Sequence, residues 1–134
     1  MRSEVISVRT GARASVVDIT EEAAAFASGL GDGLLHIFVP HATAGLAIIE
    51  TGAGSDEDLL ASLSDLLPAD DRWRHRHGSP GHGRDHVIPA FISPSVTVPV
   101  LGGHIALGTW QALCLVDPNG DNPNRQVRFS FISD

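Results

Sequence analysis

The sequence predicts an α+β fold in one domain, residues 1–134, built mostly from antiparallel sheet. Three observations predict it. A chain of 134 residues is long enough for one domain with a real hydrophobic core. Short apolar runs with strand character fall on both sides of two segments with helical character. Glycine- and proline-rich turns separate most of them, where a parallel sheet would need long crossovers. The expected order is ββαββα followed by three strands, with two helices in all.

Each element has its own signal. Residues 4–9 alternate around Val5 and read as a strand, Gly11 starts a turn, and "ASVVDI" (residues 14–19) returns as a second strand. Thr20 is placed as an N-cap, with Glu21 and Glu22 in the first turn where the helix dipole favours acids. The alanine-rich run to Ala27 continues that helix, and "SGLGDG" ends it. "LLHIFVP" (34–40) and "GLAIIE" (45–50) read as buried strands joined by "HATA". A second helix opens at Ser55, with Asp58 completing a capping box, Leu59, Leu60, Leu63, Leu66 and Leu67 as its apolar residues, and Pro68 as its stop. "HVIPAFIS" is a short helical or irregular piece. Strands are expected over 95–100, 105–116 with a break at Gly108, and 125–132, the last pair joined by the turn chemistry of "DPNGDNPN".

Composition narrows the function. Apolar residues make up 43% and charged residues 19%, so the chain is globular and not disordered. There is no tyrosine, so Val, Ile, Leu and Ala must build the core. The net charge of -7 repels a phosphate backbone, and no nucleic-acid partner is expected. No apolar run approaches membrane-spanning length and no basic amphipathic helix suits a membrane surface. "MRSEVISVRTG" lacks the apolar stretch of a signal peptide, and the expected location is cytoplasmic. The single cysteine, Cys114 in "WQALCLV", reads as a buried small hydrophobe.

The chemistry gathers in "WRHRHGSPGHGRDH", residues 73–86, which holds four of the seven histidines: His75, His77, His82 and His86. Imidazole is the commonest protein ligand for zinc, which takes three or four ligands. His41, in a tight loop after a strand, is a fifth candidate. Two readings stand on the residues alone: a metal site, or a solvated polar loop. His36 reads as an outward or satisfied strand residue and His104 as a turn residue.

"HATAGLAIIE", "WRH", "HVIPAF" and "SVTVPVLGGHIALGTWQALCLVD", followed by Arg125, resemble the small YjbQ-type family over essentially the whole chain. Members of that family are often labelled secondary thiamine-phosphate synthases. The most specific piece is "LGTWQ", residues 107–111. The resemblance matches His41, Thr43 and Ala44 to an H-x-[ST]-A motif, Glu50 to a glutamate closing the next strand, and Trp73 and His75 to an aromatic-x-His element. It matches His86 to a second loop histidine, Asp117 to an acidic position and Arg125 to a late arginine. Ile49 stands where relatives commonly have Asn, Asp117 replaces a more usual Glu, and "RHGSPGHGRD" replaces an acidic stretch.

By resemblance, His41, His75 and His86 converge on a divalent metal, zinc being favoured. His77 and His82, which match no family position, are read as exposed loop residues. Glu50 is assigned as a base or as a partner orienting a ligand, and Arg125 as a clamp for phosphate. The two are expected to line one pocket, a surface salt bridge being the alternative. Thr43 and Gln111 are placed on substrate, and Trp110 either walls the pocket or fills the core. The implied activity is thiamine-phosphate synthase-like: joining an aminopyrimidine diphosphate to a thiazole phosphate with loss of pyrophosphate. The alternatives are a non-catalytic module binding a metal or phosphorylated metabolite, and a metal-dependent phosphohydrolase. A phosphorylated small molecule is the expected substrate and a homotrimer the expected assembly. The composition supports the trimer, since two helices cannot cover the apolar strands.

Overall fold

The computed structural model describes residues 1–134. Its elements are β1 (Arg2–Arg9), β2 (Ser15–Asp18), α1 (Thr20–Ala27), β3 (Gly33–Phe38), β4 (Gly45–Ile49), α2 (Ser55–Leu66), β5 (Ser95–Leu101), β6 (His104–Ile105), β7 (Ala112–Asp117) and β8 (Asn124–Ile132). Short 3-10 turns over His82–His86 and Ile88–Ala90 lie between α2 and β5. The expected order therefore holds, and the break expected at Gly108 divides the long strand into β6 and β7. Gln111 folds back onto Gly108, accepting its N–H at 2.8 Å, and this turn separates β6 from β7.

The strands form two sheets, β1-β8-β3-β5-β6 and β2-β7-β4, with every pair antiparallel. Alternation decides which side chains meet between them. Val127, Phe129 and Phe131 of β8 and Leu35 and Ile37 of β3 pack with Leu113 and Leu115 of β7 in one core cluster, which Phe26 and Ala27 of α1 complete. The other face of β7 is buried too: Val116 packs with Leu63 and Leu67 at the end of α2 and with Ile88. A strand covered on both faces needs apolar residues at successive positions, and "ALCLV" supplies them. The small sheet thus has the large sheet on one side and α2 with the histidine loop on the other.

The helix starts differ from expectation. Thr20 is the first residue of α1 and not its cap, and its Oγ1 accepts the Leu113 N–H at 2.9 Å, tying α1 to β7. The capping box at Ser55 does not form. Gly54, in a left-handed conformation at φ 105°, precedes α2, and Asp56, Glu57 and Asp58 stabilise its first turn by facing the positive end of the helix dipole. No helix is long and apolar enough to cross a membrane.

Candidate metal centre

Residues 68–92 cross the small sheet as an irregular loop, and its polar side chains hold it in place. The Trp73 indole N–H donates to the Pro68 carbonyl at 2.8 Å, and the ring packs on the Leu63, Leu67, Ile88 and Val116 cluster. Arg84 is buried. It donates to the Leu67 carbonyl at 3.1 Å, satisfying the end of α2, and to Asp85 at 2.6 Å. Burial pushes the Asp85 carboxyl up, against the pull of Arg84. Gly83 passes directly over the His75 carbonyl and the Trp73 Cβ, where any side chain would collide with backbone. That close approach brings the 3-10 turn down beside His75.

Three imidazoles converge there. One ring nitrogen from each of His75, His82 and His86 lies within 4.8 Å of the others. The His75 and His86 rings are 4.0 Å apart between centroids, and the His82 and His86 rings 4.6 Å. The Nε2 atoms of His82 and His86 are 2.8 Å apart, a spacing that requires one proton between two nitrogens. Nε2 of His75 is buried and has no hydrogen-bond partner. Burial, then the neighbouring imidazoles, lowers the pKa of His75 and of His86, which favours the neutral rings. A cleft of about 370 Å³ opens beside His75 and His82, with Asp71, Arg76 and Ser79 on its walls.

The set differs from the expected one. His75 and His86 meet, but the third imidazole beside them is His82, expected to be an exposed loop residue. His41 stands apart: its Nε2 accepts the Gln126 N–H at 2.9 Å at the edge of the large sheet. Burial and the Arg125 charge lower its pKa, with Asp117 opposing. The missed signal was spacing. His82 and His86 are four residues apart, a spacing that would put two ligands on one face of an α-helix. The segment forms a 3-10 turn and not an α-helix, and the two rings meet all the same. His77 is exposed as expected, though its ring lies 3.9 Å from that of His75.

Arg125 and Glu50 do not share a pocket. Arg125 is 2% exposed and pairs with Asp117 through two bonds, 2.8 and 2.9 Å, while donating to the Thr43 hydroxyl at 2.9 Å. Asp117 also accepts from the Thr10 hydroxyl at 2.6 Å and the Asn119 N–H at 3.0 Å. Neither the shared pocket nor the surface salt bridge weighed as the alternative is found: the Arg125 pair is internal and its partner is Asp117. Glu50 follows the far end of β4, where Ile49 faces Ala112, whereas Asp117 follows the end where Gly45 faces Val116. Those ends are four residues apart, roughly 13 Å at the rise of a strand, and Glu50 and Asp117 each lie one position beyond them. Trp110 is 74% exposed, so it does not fill the core, and the Gln111 side chain is occupied in its turn. Cys114 is buried, and desolvation pushes its thiol up to about 12, which leaves it no thiolate at neutral pH.

Fold and site together define a small two-sheet α+β protein carrying a loop-borne cluster of imidazoles. The chain belongs to the YjbQ family: the UPF0047 protein YjbQ-like family matches residues 4–134. It is 61% identical to the UPF0047 protein Rv2556c of Mycobacterium tuberculosis over 132 residues, 98% of each chain. Its fold is similar to the crystal structure of the hypothetical protein APE1520 from Aeropyrum pernix K1, at 30% identity and TM-score 0.88 with both chains fully covered. A YbjQ-like protein of unknown function from Sulfolobus solfataricus P2 superposes with TM-score 0.91 at 27% identity, covering 99% of this chain and 97% of that one.

These relatives overturn the expected activity. Neither their descriptions nor that of the matching family names a thiamine-phosphate synthase, a transferase or a phosphohydrolase. The geometry removes the mechanism drawn for that activity as well, because Arg125, its phosphate clamp, already has Asp117 and Thr43 as partners.

Proposed function

We propose that this protein binds a divalent metal ion, zinc in the first place, through His75, His82 and His86. The observation that carries this reading is the buried Nε2 of His75, which has no partner within the chain and lies against two further imidazoles. A buried polar nitrogen left unpaired costs free energy that a ligand would offset. Neutral imidazole nitrogens suit zinc, and three of them form a known catalytic-type set with one position open. On one tetrahedral zinc the three nitrogens would stand roughly 3.3 Å apart. The ring nitrogens already lie within 4.8 Å of one another. The donor set therefore fits the ion. The adjoining cleft leaves room for a further small molecule. Elemental analysis of protein prepared without a histidine tag tests this reading. One zinc retained or taken up per chain supports it, and no uptake from micromolar zinc refutes it.

Self-association as a homotrimer belongs to the same proposal. The outer face of the large sheet carries Leu34, Phe38 and Ile132 partly exposed, with no helix over them. Light scattering at micromolar concentration should give about three times the 14.1 kDa chain mass.

A further inference from the structure

We propose that Asp121, in the loop between β7 and β8, is the positioning residue that holds His82 in its ligating form. This rests on the metal centre proposed above. The argument follows the protons. A histidine can offer Nε2 to a metal only when its proton is on Nδ1, and something must accept that proton. His82 Nδ1 faces two groups of opposite demand: the Asp121 carboxylate at 3.0 Å and the Asn119 side-chain nitrogen at 3.0 Å.

The orientation of Asn119 is settled, because its Oδ1 accepts the Asp121 N–H at 2.6 Å and so turns the NH2 group toward His82. With the proton on Nε2, His82 donates to His86 Nε2, 2.8 Å away, and accepts from Asn119. With the proton on Nδ1, it donates to Asp121 and frees the Nε2 lone pair. The ring thus has a partner for either tautomer, and the carboxylate selects the one that binds metal. Asp121 is itself fixed by the Ser79 hydroxyl at 2.9 Å, which ties this loop to the histidine loop.

The test uses Asp121→Asn in the full chain, with zinc affinity read by competition against a chromophoric chelator. Loss of an outer-shell carboxylate is expected to weaken zinc binding by about 10- to 100-fold. The same substitution in a His82→Ala background should add nothing, since Asp121 acts through that ring. Nitrogen-15 spectra of the zinc-loaded wild type should show His82 protonated at Nδ1. Affinity within twofold of wild type for Asp121→Asn, an equal loss in the His82→Ala background, or His82 protonated at Nε2 would each overturn the proposal. A wild type that binds no zinc would instead remove the metal centre, and the role of Asp121 with it.

Discussion

The histidine cluster and the Arg125–Asp117 pair both drew attention as chemistry-bearing sequence, yet they are opposite kinds of site. Around Arg125 the bonds are made within the chain: two to Asp117, one to Thr43, and Thr10 and Asn119 closing on Asp117. In the histidine cluster a buried nitrogen of His75 is left over, and two Nε2 atoms compete for one proton. A polar group that the fold satisfies serves the fold. A buried one that it leaves unpaired points to something outside the chain.

That contrast breaks first at Arg125. Arg125→Ala should lower stability by about 3–5 kcal/mol in urea denaturation, because it strands a buried carboxylate. A loss below about 1 kcal/mol would mean that the pair is not structural.

The cluster should behave the other way. His75→Ala is expected to weaken zinc binding by about 100-fold or more while leaving unfolding of the metal-free protein little changed, since the ring's Nε2 makes no bond to lose. A large loss of metal-free stability would make His75 a structural residue like Arg125.

The fold was legible where local chemistry and tertiary demand agreed. "VRFSF" alternates because β8 has one buried face, and "ALCLV" does not alternate because β7 has two. The site was half legible. His75 and His86 are legible from the resemblance, but His82 matches no family position, and only the close turn at Gly83 brings it beside them. Asp121 gave no signal, because its meeting with His82 depends on two loops approaching from 39 positions apart in sequence. Glu50 and Arg125 misled for a related reason. A charge beside an apolar strand announces a partner but not which one, and strand register put the two at opposite ends.

A pH series sharpens the contrast further. His41, His75 and His86 have folded-state pKa values below the ordinary 6.5, through burial first in each case. Below about pH 6.5 the unfolded chain therefore binds more protons than the folded one, and stability rises with pH through this range. The melting temperature of the metal-free protein should fall as pH drops from 7.5 to 5.5. Replacing both His75 and His86 with Gln should flatten that slope. An unchanged slope would place these rings in contact with water.

The smallest effect is expected at Trp110. Being 74% exposed in the chain, it should cost no more than about 0.5 kcal/mol of stability when changed to Ala. A larger cost that grows with protein concentration would show Trp110 covered by another copy.

Zinc titration of the wild type, His82→Ala and His41→Ala tests the central claim most directly. The His75–His82–His86 centre predicts one zinc per wild-type chain, a loss of about 100-fold or more in His82→Ala, and wild-type affinity in His41→Ala, which surrenders only its bond from Gln126. Wild-type affinity in His82→Ala together with loss in His41→Ala would contradict it.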